Sequence, residues 1–289
     1  MPEPHADNRG AEPLRVEGLS VTWRSGLLGR RLVRAVRGLS LTVEAGSVVG
    51  IAGPNGSGKS SLFRALLGLA PITAGSATVL GRPAGDRAAV ARTGHLAEGR
   101  LPLGRLRARE LLTLSGTLRG WPLARARARA DALLDRVGLA AVAGRAHGDF
   151  STGMARRLAL AQALYHEPEL LLLDEPTAGM DPLGVDLMRE LVKERAAAGA
   201  TCLVATHVLE DFGAELDRLV VLYDGEVLAD GSPDDVLGRE DATSWTVAGL
   251  DDEARRAVEA EIAARGGKLL ASGRPRRSLG AWLRERIGP

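Results

Sequence analysis

Eight residues, Gly53-Pro54-Asn55-Gly56-Ser57-Gly58-Lys59-Ser60, constrain the fold more than anything else in the chain. They fit G-x4-G-K-[ST], and their flanks are of the required kind. Before them, Val48-Val49-Gly50-Ile51-Ala52 is a short apolar run suited to a strand buried on both faces of a parallel sheet. After them, Ser61 to Leu69 has helical spacing and stops near Gly68 to Pro71. A strand, a glycine-rich turn and a helix in that order predict a phosphate cradle. Successive backbone N–H groups turn inward, and the helix N-terminus adds positive potential. Lys59 is placed to reach the β- and γ-phosphates of a nucleotide, Ser60 to ligate Mg²⁺, and Ser61 to continue the nucleotide-binding turn. By itself the motif points to a P-loop nucleotide enzyme and leaves its kind open.

The rest of the chain alternates strands and helices around a helical insertion. Leu14 to Glu17 reads as an edge strand and Leu39 to Val43 as another, with Arg24 to Arg34 a basic extended hairpin between them. From about Arg105 to Glu167 helices follow one another: Glu110 to Leu118, Ala124 to Val137 ended by Gly138, and Gly153 to His166 ended by Pro168. Strands resume at Leu170 to Leu173, Thr201 to Ala205 and Leu219 to Leu222, with a helix from Leu183 to Ala198. Tyr223-Asp224-Gly225-Glu226 is a hairpin turn signal. The expected class is α/β: a mostly parallel P-loop core, an N-terminal antiparallel β subdomain, a helical subdomain over about 99–168, and a small α/β lobe. The expected divisions are a polar tail at 1–13, the main domain at 14–239 and an accessory lobe at 240–289. In that lobe, Trp245 to Ala248 and Lys268 to Ala271 read as strands, and Asp251 to Ala264 and Ser278 to Ile287 as helices.

Leu170-Leu171-Leu172-Leu173-Asp174-Glu175 supplies what a P-loop needs opposite it. The leucines bury the strand, Asp174 emerges at its carboxyl end to hold Mg²⁺, and Glu175 is placed to orient or deprotonate an attacking water. Read alone, the two carboxylates also suit helix capping. A net charge of +2 is too weak to imply nucleic acid, and the arginine clusters read as solvated faces. The single cysteine, Cys202, lies in an apolar run as a small buried hydrophobe and fits a reducing compartment. Met1 to Glu12 is polar, so no signal peptide is expected. The longest uncharged stretch, Ala65 to Gly81, is broken by Pro71 and glycines and does not span a bilayer.

Three further segments complete a set. Phe150-Ser151-Thr152-Gly153-Met154-Ala155-Arg156-Arg157-Leu158 precedes the acidic strand; Thr177-Ala178-Gly179-Met180-Asp181-Pro182 and Ala205-Thr206-His207 follow it. In this order after the P-loop, they make the chain resemble the ATP-binding cassette ATPases over roughly Leu14 to Gly238, and within them the exporter ATPases that work with separate membrane chains. The resemblance implies that Ser151, Thr152, Gly153 and Met154 form the signature loop, which meets the γ-phosphate of a second subunit in a head-to-tail dimer. It implies that Asp181 lies on the loop linking the two sites, that His207 contacts the γ-phosphate, and that Trp23 stacks on adenine. Three positions depart from the family's pattern. Thr152 stands for the first glycine of the signature, Met154 for its glutamine, and Glu98 for the glutamine of the loop that senses Mg²⁺ and couples to the membrane subunit. Ser151 also suits a helix N-cap, and Trp23 also suits core packing.

The resemblance implies an ATP hydrolase with ATP and Mg²⁺, catalytic residues Glu175, His207 and Lys59, and metal-site residues Ser60, Asp174 and Glu98. Its partners would be a second cassette subunit, homo- or heteromeric, and an integral membrane permease, with no nucleic acid. The expected location is the cytoplasmic face of the membrane, held peripherally through the permease. An importer ATPase and a cassette acting on ribosomes or DNA are the alternatives. A P-loop kinase would have no use for Ser151 to Met154 or for His207.

Overall fold

The computed structural model describes residues 12–25, 31–99, 104–212, 215–238 and 251–266. Two sheets carry the architecture. The first is antiparallel, in the order β2-β1-β4-β5: β1 (Leu14–Ser25), β2 (Arg31–Val43), β4 (Ile72–Val79) and β5 (Arg82–Pro83). β1 is therefore an interior strand, paired with β2 on one side and β4 on the other, and not the edge that its first residues suggest. Its core face changes phase, with Leu14 and Val16 buried first, then Leu19 and Val21. β2 shifts in step, from Val36 to Leu39, Leu41 and Val43. The backbone N–H of Gly18 donates to Ser40 Oγ at 3.0 Å, and that of Gly38 to Ser20 Oγ at 2.9 Å. Each strand's serine thus satisfies the amide that the other strand's irregularity leaves without a ladder partner.

The second sheet has six strands in the order β10-β9-β3-β8-β7-β6. β3 (Val48–Ala52), β6 (Thr93–Leu96), β7 (Leu170–Asp174), β8 (Thr201–Thr206) and β9 (Arg218–Tyr223) run parallel, and β10 (Glu226–Gly231) closes one edge antiparallel. β3, β7 and β8 are buried at every residue, as continuous apolar strands must be when helices or a second sheet cover both faces. Their side chains alternate between two separate cores. Val49, Ile51, Leu170, Leu172, Leu203 and Ala205 join one cluster with α1 (Lys59–Leu66) and the antiparallel sheet. Val48, Ala52, Leu171, Leu173, Cys202 and Val204 join the other with the helices of the insertion. Full burial of each β7 leucine contributes roughly 1.5–3 kcal/mol. The Cys202 thiol is buried and its pKa is pushed up to about 12 by that burial, so the side chain serves as a small hydrophobe.

After the short α2 (Arg87–Ala91) come the insertion helices α3 (Ala108–Thr117), α4 (Leu123–Arg136) and α5 (Thr152–Ala163), then α6 (Pro182–Ala197) and α7 (Pro233–Leu237). No helix among the described residues is long and apolar enough to cross a membrane. The chain divides into two compact units, Met1–Val236 and Leu237–Pro289. In the second, α8 (Asp252–Ala264) is capped by Asp251, whose carboxylate accepts from the N–H groups of Glu253 and Ala254. The strands expected at 245–248 and 268–271, the helix at 278–287, most of the polar tail and the tip of the hairpin at 26–30 lie outside the described residues.

Candidate active site

Parallel strands deliver their carboxyl ends to one edge, and ligands in such sheets bind there. β3 leads into the P-loop, β8 beside it ends at Thr206-His207, β7 ends at Asp174-Glu175, and β6 leads to Glu98. Register makes the ends level: Ala52 pairs with Thr206, and Asp174 with Ala205. Four segments distant in sequence thus meet because their strands are neighbours.

The P-loop is shaped from behind as well as from the nucleotide side. Gly53 has φ +148°, and a Cβ there would stand 2.2 Å from the Leu222 carbonyl oxygen. Gly58 has φ +108°, with Ala35 O only 2.4 Å from the same imagined atom. Both positions exclude a side chain whatever is bound in front. Lys59 opens α1 and is buried; its Nζ donates to Gly53 O at 2.6 Å and Pro54 O at 3.2 Å, so the ammonium spans the loop it would bring to phosphate. Ser57 is buried and its Oγ has no hydrogen-bond partner among the described residues.

Asp174 is 3% exposed. Its carboxyl is held above the usual carboxylate range, first by burial and then by the charges of Glu98 and Glu175, against the pull of a hydrogen bond from Ser60. Its Oδ1 is buried without a hydrogen-bond partner among the described residues. An orphaned carboxylate oxygen beside a serine hydroxyl is what a magnesium ion uses when phosphate oxygens and water complete its shell. The donor set therefore fits Mg²⁺ carried with a nucleotide. Among the described residues no group of three or more His, Cys, Asp or Glu side chains could hold a metal without such help. Glu98 is exposed on the same side and acts on Asp174 by its charge.

Glu175 adopts φ +47°, an uncommon conformation for a residue with a side chain. Its N–H donates to Ala205 O at 2.8 Å, which fixes the turn at the strand end. One carboxylate oxygen stands 2.8 Å from His207 Nδ1 and the other 3.8 Å from Lys59 Nζ. The structure thus gathers Lys59, Glu175 and His207 into one buried-to-surface chain, with His207 at the open end.

The signature segment is built differently. Ser151 caps α5, its Oγ accepting from Met154 N–H at 3.2 Å, so the N-cap reading holds in this chain. Ser151 and Thr152 are exposed. The turn packs on the segment before α6, where a Cβ on Gly179 would stand 2.7 Å from Thr152 Cγ2. Asp181 caps α6, accepting from Gly184 N–H at 2.7 Å. Trp23 is half-buried: its indole N–H donates to Ser61 Oγ at 3.1 Å and its ring packs against the α1 core. It therefore stands beside the P-loop helix and also takes the packing role.

One residue escapes a reading by periodicity. Arg156, in the basic run after the signature, is 5% exposed and not part of a solvated face. From α5 it reaches Ala97 O at 2.6 Å and Gly99 O at 3.5 Å, the two carbonyls flanking Glu98. Burial lowers its pKa, while the charges of Asp174, Glu98 and Glu175 raise it. Beside this contact lies a cleft of about 280 Å³ lined by His95, Glu98, Ser115, Arg119, Gln162 and His166. Both imidazoles are pushed down to about 4, first by burial and then by neighbouring arginine charge, so they are neutral at physiological pH.

Residues 36–178 match the family model described as ABC transporter. The chain is 40% identical over 210 residues to the Nod factor export ATP-binding protein I of Rhizobium sp. (strain N33), covering 71% of this chain and 67% of that one. It is 35% identical over 206 residues to the ABC transporter ATP-binding protein NatA of Bacillus subtilis (strain 168), covering 70% and 84%. A solved structure titled as the ATP binding subunit of an ABC transporter superposes with a TM-score of 0.68 at 28% identity, over 77% of this chain and 91% of that one. With the P-loop, the acidic strand end and the signature turn in place, the chain belongs to the ABC transporter family as an ATP-binding subunit.

Proposed function

We propose that this chain binds and hydrolyses ATP as the nucleotide-binding subunit of an exporter, driving a separate membrane permease by ATP-dependent dimerisation. The observation that carries the reading is the level convergence of Lys59, Asp174, Glu175 and His207 at the carboxyl edge of the parallel sheet. The P-loop amides and Lys59 hold the phosphates, and the half-buried Trp23 ring presents a face to adenine. When bound, Mg²⁺ would withdraw charge from the phosphate oxygens, and Ser60, Asp174 and Glu98 would hold it or its water. Glu175 orients the attacking water and takes its proton, and the bond to His207 fixes the carboxylate's direction. Glu175 and Lys59 are buried, which strengthens these charge interactions relative to water.

Ser151 and Thr152 leave the signature turn open to a second subunit's γ-phosphate, and Asp181 stands at the same surface. ATP joins two chains this way, and loss of the γ-phosphate on hydrolysis releases them. The cleft beside Glu98 receives a cytoplasmic helix of the permease. Export is favoured by the likeness to a relative named for export. Residues 14–239 form the motor and 240–289 an accessory lobe. The test is affinity capture of the Glu175→Gln chain with Mg-ATP from detergent-solubilised membranes. Stoichiometric recovery of a polytopic membrane protein is the expected result. Recovery of ribosomal or DNA-bound proteins alone would overturn the transporter half of the proposal, and recovery with a solute-binding protein would turn export into import.

A further inference from the structure

The charge of the chain is unevenly placed. Residues 104–127 carry six arginines against one glutamate, a local net charge of +5, whereas the whole chain carries +2. They form α3, the start of α4 and the turns around them. A cleft of about 420 Å³ opens between these helices, lined among others by Arg107, Arg109, Arg127, Leu114 and Leu123. Arg109 is paired with Asp131 at 2.5 Å, and the one glutamate accepts from the Arg107 N–H at 3.0 Å as a helix cap. Arg105, Arg107, Arg125 and Arg127 are exposed and make no ion pair among the described residues. Near Arg107 and Arg127 stand apolar side chains that nothing among the described residues covers. Leu118 is 78% exposed and Leu123 60%, and Leu118 lies one turn beyond Leu114 on the same helix face.

Free guanidinium groups interleaved with bare leucines describe an amphipathic cation. From this we infer that the α3–α4 surface rests on an anionic lipid bilayer, its arginines among phosphate head groups and Leu118 and Leu123 at the acyl boundary. Charge complementarity sets the choice of occupant. Arg107 and Arg127 line the cleft from opposite sides with Leu123 beside them, which suits a field of anionic head groups better than one carboxylate in a docked peptide. Arg125, two positions from Arg127 on α4, turns away from the cleft and lies over the Trp121 ring, 4.0 Å from its centroid. The inference rests on the membrane setting proposed above but on different residues: none of these side chains belongs to the nucleotide site. Such a contact would fix how the motor is oriented under its permease.

The test is co-sedimentation of the full chain, without permease, with vesicles of phosphatidylcholine alone and of phosphatidylcholine with phosphatidylglycerol. Binding should require the anionic lipid and weaken as salt shortens the screening length. Each arginine near such a surface strengthens binding about fivefold, so Arg107→Gln with Arg127→Gln should weaken it about 25-fold. Leu118→Ser with Leu123→Ser should weaken it at unchanged charge. All four sites are exposed, and nucleotide binding by each variant checks the fold. Equal binding to both vesicle types, no binding, or full binding by the arginine pair would overturn the inference. Loss of permease capture by the arginine pair, with no vesicle binding by the parent chain, would assign the surface to an acidic protein segment instead. Vesicle binding without any permease in the capture experiment would sink the transporter reading and leave this one standing.

Discussion

Asp174→Asn should make the empty protein more stable and the loaded one less so. The carboxylate is 3% exposed, and its pKa is raised first by burial and then by Glu98 and Glu175, while Oδ1 has no partner among the described residues. A group whose folded pKa lies above its unfolded value, here near 3.8, favours the fold in its neutral form. That contribution is complete below the unfolded pKa and disappears as pH climbs through the folded one. At neutral pH the ligand-free chain therefore carries a charge it would be more stable without. Relieving one buried, unsatisfied charged oxygen contributes about 1–3 kcal/mol. For a domain of this size each kcal/mol moves the unfolding midpoint by about 2–4 °C. Thermal unfolding in a metal chelator, followed by circular dichroism, should show Asp174→Asn melting above the parent at neutral pH. The gap should close toward acid pH, where the parent's own carboxylate protonates. Mg-ATP at about a thousandfold over its Kd should reverse the order, because it stabilises the parent by about 4.1 kcal/mol, more than the variant gains. A variant that melts below the parent at neutral pH without ligand would refute the argument that this site is charged at a cost to the fold.

Glu175→Gln should keep nucleotide binding and slow turnover by about 10²–10³. Because His207 bonds the same carboxylate, His207→Ala should add little to Glu175→Gln, and strictly additive losses in steady-state kinetics would break the proposed pairing. Gly58→Ala should destabilise the chain by more than about 1–3 kcal/mol, since left-handed strain is joined by collision with the Ala35 carbonyl; an unchanged urea midpoint would contradict the close packing. Arg156→Met removes the bonds to Ala97 O and Gly99 O and should speed amide exchange across 97–99, with Arg156→Lys recovering part of the protection. Unaltered exchange there would show that the arginine does not hold the segment.

What the sequence made legible follows from how local each signal is. The P-loop and the Leu170 to Glu175 run are contiguous, so residue type and spacing alone predict a strand, a cradle and an acidic strand end. The alternation predicts only a few residues each of β1 and β2, because the phase of their apolar pattern flips near Gly18 and Gly38. β4, Ile-Thr-Ala-Gly-Ser-Ala-Thr-Val, has no apolar alternation to find; four of its eight residues are exposed, and pairing with β1 holds it in the sheet. Because that neighbour carries no signal, the sequence alone suggests an edge position for β1. Arg156 was invisible for a different reason. Its acceptors are backbone carbonyls some sixty positions earlier, and no side chain in the sequence announces them. The uneven spread of arginine was in plain view, but only the fold separates Arg156 from the solvent-facing arginines of α3 and α4.

The division of apolar side chains between the two faces of the parallel sheet has a consequence for motion. Successive residues of β7 belong to clusters with no member in common. The sheet therefore acts as a partition: the helical side can loosen while the packing around α1 stays intact. Local opening would then occur in two cooperative units with separate free energies. Amide exchange should resolve them, with nucleotide slowing α1 before it slows α3 and α4. An ATP-binding subunit divided in this way can keep its phosphate cradle firm on one side of the wall while the helices on the other side shift.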